Sequence, residues 1–282
     1  MNKFENIVER MREKGYEAKV TTVTKNSVEF QAISLAFSSK MGIHVYGSEF
    51  ERMLETLSEK EIVDVLLSVY EKAKQEDSAC CTKLTKEMAE KSFLLRNVYL
   101  GLQKKSNKEI VKKNYPDFND LEGYLYLRTP GENGAFYTLN ITSSYLTKAG
   151  ITEEELWEAA EKNTRSEAKI QNIFDFMDKS LDIPSNEVPE VDFPMYTLTN
   201  EILMKGAAAV LCKSLLSDFA KEQNAKRIFV LPSSIHEVIL LPDDGKYTEE
   251  DICWMNETVR IANATALEPQ EVLSDRVYIV EV

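Results

Sequence analysis

Two β-hairpin patterns occur among the helical segments of this 282-residue chain. Segments 16–24 and 27–37 are rich in Val, Thr, Ile and Phe, and a Lys-Asn pair separates them. Segments 121–128 and 135–141 flank a turn that contains Pro and Gly. Paired runs of this composition are typical of antiparallel strands. Because strands and helices do not alternate regularly, the sequence predicts an α+β fold with mainly antiparallel sheets packed with helices.

Helix starts are marked by Ser or Thr residues that are followed three positions later by Glu or Asp. At this spacing the two side chains can cap the free amides of a helix N-terminus reciprocally. We expect a helix after each of Ser48, Ser58, Ser106, Thr152 and Thr248. After Ser58, apolar residues recur at three-and-four spacing as far as Tyr70, which predicts a buried helix of about four turns.

The segment from Leu181 to Pro194 contains three prolines and several acids and has neither a helical nor a strand period. Such a composition is typical of a linker or a surface crossing. We therefore predict an N-terminal helix-hairpin-helix module (1–80), a central hairpin with helices (81–182), a linker or crossing (183–194) and a C-terminal α+β module (195–282).

The net charge of −13 is concentrated in two segments, 148–192 and 243–282, each of which sums to −7. Acidic surfaces repel phosphate backbones, so general nucleic-acid binding is disfavoured. The charged opening segment has no signal-peptide core, and the uncharged stretches are too short or too polar to cross a membrane. The sequence thus predicts a cytoplasmic protein.

The four cysteines lack the spacing of a zinc site or of a secreted disulfide framework. They are Cys80, Cys81, Cys212 and Cys253, and the chain has only two histidines. We expect reduced thiols, no metal and no cofactor.

One basic stretch runs from Lys83 to Lys113, with nine basic residues against three acidic ones. Its densest part consists of Lys104, Lys105, Lys108, Lys112 and Lys113. The stretch could bind nucleic acid or an acidic partner, with tyrosines available for stacking. A solvated helix face followed by a loop is the favoured interpretation.

Several strings of the C-terminal region carry a family resemblance. They are Tyr196–Asn200, Gly206–Ala208, Val230–Pro242, Asn263–Thr265 and Glu271–Asp275. Together they resemble the bacterial family called domain of unknown function 5688, over nearly the full length and most strongly after Met195. The segment 42–50 departs from the family pattern. The resemblance implies a whole-chain plan and a bacterial cytosolic protein, and it carries no activity.

One cluster of the sequence resembles a catalytic site more than any other, and it consists of Ser233, Ser234, His236 and Glu237. A hydroxyl, an imidazole and a carboxylate are the parts of an activated nucleophile. However, neighbouring strand residues point to opposite faces, and no Gly-x-Ser-x-Gly elbow presents a serine. The favoured interpretation is a tight turn in which the hydroxyls bond backbone amides and His236 begins a strand.

The remaining candidates for binding residues are polar or flexible positions at the ends of C-terminal elements. They are Asn200, Gly206, Asp243, Asp244, Asn263 and Asp275. The two aspartates could belong to an oxygen-ligand cation site, but the calcium-loop pattern is absent. Side chains of Asn and Asp often bond local backbone instead.

Two classes of function follow. The leading hypothesis is a non-enzymatic binding or regulatory protein that acts through protein contacts, because no motif assembles a nucleophile, a base and an oxyanion donor. The rival is a hydrolase or nucleotide-handling enzyme that uses the turn from Ser233 to Glu237. Nucleic-acid binding through the basic stretch is a weaker alternative. The oligomeric state is not predicted.

Overall fold

The structure is a computed structural model that describes residues 3–36, 42–131, 136–180 and 194–282. Within these ranges the chain forms helices and three antiparallel sheets, so the predicted α+β class is confirmed. The chain divides into two compact units, Met1–Glu87 and Met88–Val282. The first unit holds one of the sheets, and the second unit holds the other two.

The first unit combines three helices with a sheet in the order β1-β2-β3. Its elements are α1 (Lys3–Glu13), β1 (Glu17–Lys25), β2 (Val28–Ala36), β3 (Gly42–Tyr46), α2 (Gly47–Thr56) and α3 (Glu59–Glu87). The first predicted hairpin is confirmed, since β1 and β2 pair antiparallel. Asn26 and Ser27 form its turn with φ of 44° and 65°, the left-handed backbone that matches the twist of a two-residue hairpin.

The predicted buried stripe of α3 is narrower than the sequence suggested. Four of its residues lie in the hydrophobic core of the first unit: Ile62, Val63, Leu66 and Tyr70. Val65 and Val69 belong to the same predicted stripe but are 37% and 48% exposed. Each precedes a core residue by one position, which turns it about 100° away around the helix axis.

The second unit contains a four-stranded and a five-stranded antiparallel sheet. Its first elements are α4 (Lys91–Asn97), β4 (Val98–Lys104), β5 (Lys112–Tyr115), β6 (Phe118–Pro130), β7 (Phe136–Asn140), α5 (Ser143–Ala149) and α6 (Glu153–Glu167). They are followed by β8 (Ala168–Asn172), α7 (Ile173–Ser180), β9 (Tyr196–Asn200), a 3-10 helix (Gly206–Leu211), α8 (Lys213–Glu222), β10 (Arg227–Leu231), β11 (Val238–Asp243), α9 (Glu249–Ala266) and β12 (Tyr278–Glu281).

Strand pairing in the second unit places β6 beside β4, β5 and β7, which confirms the second predicted hairpin. The five-stranded sheet has the order β12-β10-β11-β9-β8. A core cluster that includes Phe229, Leu241, Met255 and Val259 packs α9 against this sheet.

Three of the five predicted helix caps are confirmed. Thr152 and Thr248 form complete capping boxes, and Ser58 exchanges the same hydrogen bonds with Glu61. The prediction at Ser48 is wrong in register, because α2 already begins at Gly47.

No helix follows Ser106, so that prediction is also wrong. The amide and the hydroxyl of Ser106 both donate to Glu122 Oε1, at 3.1 Å and 2.8 Å. This carboxylate lies on β6, sixteen residues along the chain. A tertiary partner therefore replaces the local one at Glu109, and the segment forms the connection between β4 and β5 instead.

The composition of segment 167–179 also predicts a helix, but residues 168–172 form β8 instead. Helix α7 begins only at Ile173. The strand forms because β9 offers it an antiparallel partner, from Ala168 opposite Asn200 to Asn172 opposite Tyr196. Sheet pairing of this kind overrides local propensity.

β8 links two predicted modules, since it comes from segment 81–182 and joins a sheet built mostly from segment 195–282. The predicted linker 183–194 lies outside the described residues except for Pro194.

The sequence also predicts one helix from Gly206 to Ala220, which opens with small residues, but the structure divides this segment. A 3-10 helix covers the first part, and α8 begins after Cys212, whose ψ of 88° lies outside the helical range. Within the ranges that the structure describes, none of the helices combines the length and the apolar character needed to cross a lipid bilayer.

Candidate functional site

The turn from Ser233 to Glu237 connects β10 to β11 and is held by its own hydroxyls. The Ser234 hydroxyl donates to Glu237 Oε1 at 2.8 Å and accepts from the His236 amide at 2.9 Å. The Ser233 hydroxyl donates to the same carboxylate oxygen at 3.3 Å. β11 begins at Val238, so His236 lies in the turn and does not begin the strand as predicted. Both serines therefore have structural partners.

The imidazole of His236 is bound on the other side of the turn. Its Nδ1 accepts from the Lys205 amide at 3.3 Å, and its Nε2 lies 3.8 Å from Glu271 Oε1. Among the hydrogen bonds of the described residues, none joins this ring to Ser233 or Ser234. The ring is thus not placed to take a proton from either hydroxyl, although the hydrolase hypothesis itself stays a prediction that an activity measurement must test.

Asn200 and Gly206 meet His236 at one corner of the second unit. The Asn200 side-chain amide donates to the Met204 carbonyl at 2.8 Å and accepts from the Met204 amide at 3.1 Å. Lys205 has φ of 55°, a left-handed backbone that is strained for a residue other than glycine. Hydrogen bonds from Asn200 and to His236 hold the backbone of this strained turn.

The Lys205 ammonium lies against two tyrosines of β6. Its Nζ donates to Tyr124 Oη at 3.1 Å and lies 4.3 Å from the centroid of the Tyr126 ring. Burial lowers the pKa of Lys205 from 10.5 to about 8. Within the described part of the chain, no carboxylate forms an ion pair with this lysine. Sequence reasoning missed it, because a single lysine in a turn carries no periodic or motif signal.

The lowered pKa predicts how Lys205 affects stability. Between its folded value of about 8 and its ordinary value of 10.5, the unfolded chain holds a proton that the folded chain has released. Stability rises with pH wherever the unfolded state binds more protons. We therefore expect the free energy of unfolding of the wild-type chain to increase, relative to that of Lys205→Met, from about pH 8 to about pH 10. Urea unfolding across this range checks it, and parallel pH profiles for the two proteins would contradict it.

The densest part of the basic stretch, from Lys104 to Lys113, does not form one solvated face. Lys112 pairs with Glu122 at 3.2 Å, whereas Lys113 lies over the Trp157 ring at 4.5 Å. Neighbouring residues of β5 point to opposite faces of the sheet. Lys104 ends β4, and Lys105 and Lys108 lie in the connection that follows it. The basic residues are thus distributed over the sheet, and nucleic-acid binding stays an untested prediction.

Asp243 is a fully buried acceptor at the end of β11. Its carboxylate accepts from Arg227 Nε at 2.7 Å and from the amides of Gly245 and Lys246 at 2.8 Å and 2.9 Å. Burial alone would raise the pKa of Asp243, but these donors outweigh it and lower that pKa. Asp244 forms an ion pair with Lys246 at 2.6 Å. Both aspartates have donors of this protein as partners.

Asn263 links α9 to the segment that precedes β12. Its side-chain amide donates to the Ser274 carbonyl at 2.9 Å and to Asp275 Oδ1 at 2.8 Å. Asn263 and Asp275 are thus brought together as a cross-link. In the part of the chain that the structure describes, no group of three His, Cys, Asp or Glu residues is arranged to hold a metal ion.

The outward face of α9 is the most exposed apolar feature. Trp254 and Ile261 are each 56% exposed, the highest values among the large hydrophobic residues of the described chain. They are seven residues apart and thus share a helix face with Thr258 and Thr265. The opposite face carries the buried residues of this helix. Sequence reasoning placed the helix but missed this stripe, because apolar residues occur on both of its faces.

The chain belongs to a family of unknown function, DUF5688, whose model matches residues 1–281. This match confirms the resemblance that the C-terminal strings indicated. Neither the curated proteins nor the solved structures contain a match to the chain.

Proposed function

We propose that this member of a family of unknown function is a non-enzymatic binding protein that recognises a protein partner through the outward face of α9. The observation that carries the proposal is the pair Trp254 and Ile261, each 56% exposed on one helix face. Tryptophan is enriched among the residues that dominate binding energy at protein interfaces. Exposed apolar residues aligned on a helix also fit the groove-binding mode of recognition.

The charge around this face indicates the chemistry of the partner. Helix α9 begins with Glu249, Glu250 and Asp251. The segment 243–282 holds 10 acidic and 3 basic residues. Opposite charges at the rim of an interface accelerate association and suppress wrong partners. The partner therefore presents an apolar groove with a rim of Lys and Arg side chains.

The turn from Ser233 to Glu237 supports a binding role over a hydrolytic one. Its hydroxyls bond Glu237, and its imidazole bonds the Lys205 amide. A bacterial cytosol is the compartment we propose, because Cys212 and Cys253 are free thiols and thiols stay reduced there.

Replacing both apolar residues tests the proposal. We expect Trp254→Asp with Ile261→Asp to weaken partner binding by at least about 30-fold, because hot-spot residues at interfaces contribute this much. The partner is captured by cross-linking, identified by mass spectrometry and then purified, and its Kd is measured by calorimetry at low and high salt. Because the exposed positions are not part of the core, the Tm should change little.

A matched control exists on α3 of the first unit. Val65 and Val69 are also exposed on a helix, so Val65→Asp with Val69→Asp makes the same kind of change elsewhere. This control should leave the Kd of the partner unchanged. Equal binding by both double variants, or turnover of a substrate by the purified chain, would refute the proposal.

A further inference from the structure

One face of β6 carries an unusual row of charged and aromatic side chains. Glu122, Tyr124, Tyr126 and Arg128 alternate with apolar residues and thus share a face. Tyr99 lies opposite Tyr126 on β4, with the two ring centroids 6.1 Å apart. Tyr124, Tyr126 and Arg128 are buried, although Tyr99 keeps partial exposure.

One nitrogen of Arg128, Nη1, has no hydrogen-bond acceptor within the described residues. Its Nη2 donates to both carboxylate oxygens of Glu167, at 2.6 Å and 2.5 Å, and its guanidinium lies 3.8 Å from the centroid of the Tyr99 ring. The side chain is only 6% exposed. Its Nη1 is buried and finds no hydrogen-bond partner in the described residues. A buried donor without a partner is costly unless a ligand or water satisfies it.

Lys205 brings a second cation to the same row of rings. Its Nζ contacts Tyr124 Oη and the Tyr126 ring, and neither of these neutral groups cancels a full positive charge. Lys108, in the connection between β4 and β5, adds a third cation: burial lowers its pKa most, the charge of Lys205 lowers it further, and the Glu122 carboxylate acts in the opposite direction. An anion bound near these amines would offset their charge.

The charges of this face do not balance. Lys112 pairs with Glu122, and Arg128 pairs with Glu167. Within the described residues, Lys108 and Lys205 have no ion-pair partner, so the face holds an excess of two positive charges in a chain of net charge −13. Lys108 and Lys205 are both partly exposed to solvent.

We propose that this face, formed by Tyr99, Tyr124, Tyr126, Arg128, Lys108 and Lys205, binds a small organic anion that carries a phosphate or carboxylate group. The anionic group accepts hydrogen bonds from Lys205 Nζ and from the unsatisfied Nη1 of Arg128, and the tyrosine rings contact the rest of the molecule. This site is independent of the α9 face, so either proposal can fail without the other.

The test is a thermal shift titration of the full chain with inorganic phosphate or with succinate, at constant ionic strength with chloride as the balancing ion. We expect one of the two anions to raise the Tm saturably, by roughly 3–6 °C at ten times its Kd. Lys205→Met should weaken that binding at least tenfold. Lys213→Met is the matched control, because Lys213 is a 75% exposed lysine of the same unit and should leave binding unchanged.

A second measurement needs no variant. Acetylation of individual lysines in the wild-type chain is followed by mass spectrometry with and without the anion. Binding should slow acetylation of Lys205 at least fivefold and leave Lys213 unaffected. The proposal is wrong if neither anion protects Lys205, or if a well-folded Lys205→Met variant binds as tightly as the wild type.

Discussion

Gly206→Ala is expected to lower the free energy of unfolding of the second unit by about 3 kcal/mol, because two of the three atoms nearest to the added Cβ belong to backbone, which cannot move aside cheaply. A Cβ at this position would lie 2.6 Å from the Asn200 amide nitrogen and 2.7 Å from the His236 carbonyl oxygen. Both atoms belong to segments anchored in the five-stranded sheet. The substitution must therefore separate the 3-10 helix from β9 or distort the turn before β11.

Urea unfolding followed by circular dichroism measures this effect, with Gly150→Ala as the control. Gly150 has φ of +60°, and a Cβ there would meet no heavy atom within 4 Å. Gly150→Ala should lower the free energy of unfolding only through the left-handed backbone at this position, by about 1 kcal/mol. If Gly206→Ala costs no more than the control, then the close approach of the two backbone segments is incorrect.

Asp243→Asn is expected to cost the second unit about 2–3 kcal/mol at neutral pH, because it replaces a buried, fully bonded carboxylate by a neutral amide. The Asn side chain cannot offer two acceptor oxygens to Arg227 and to the amides of Gly245 and Lys246. One of these donors therefore loses its partner. The exposed Asp244→Asn is the control and should change stability by less than about 0.5 kcal/mol, as a surface ion pair does.

The effect of Asp243→Asn on the free energy of unfolding should also depend on pH. The pKa of Asp243 is lowered below its ordinary value of 3.8 in the folded chain, so its stabilisation is present above 3.8 and is lost as the pH falls through the folded pKa. Asp243→Asn should therefore differ most from the wild type at neutral pH and approach it in acid. A difference in stability that is constant from neutral pH into acid would show that the carboxylate charge contributes nothing.

Local signals in the sequence predicted local structure well. The capping boxes at Thr152 and Thr248 close between residues three positions apart, and the hairpin turn at Asn26 and Ser27 joins two adjacent strands. Few backbone torsions separate the partners in each case, so composition and spacing carry the information. Family membership was also visible at this level, because it depends on residue identity alone.

Partners distant along the chain were not predictable in this way. Ser106 bonds Glu122 instead of Glu109, and residues 168–172 become a strand because β9 lies beside them. Both outcomes depend on pairings that form only when the whole second unit is assembled. A local propensity is worth a few tenths of a kcal/mol per residue, so a buried hydrogen bond or a complete strand ladder outweighs it.

In the candidate sites, too, residue types could be predicted from the sequence, whereas contacts between distant residues could not. The residue types of the turn from Ser233 to Glu237 were legible in the sequence, but their hydrogen-bond partners were not. The proposed anion-binding face combines side chains from β4, the connection after it, β6 and the turn after β9, up to 106 positions apart. The order of amino acids thus specified which helices and hairpins form, whereas folding specified which charges meet, because burial and charge compensation arise only between segments that pack together.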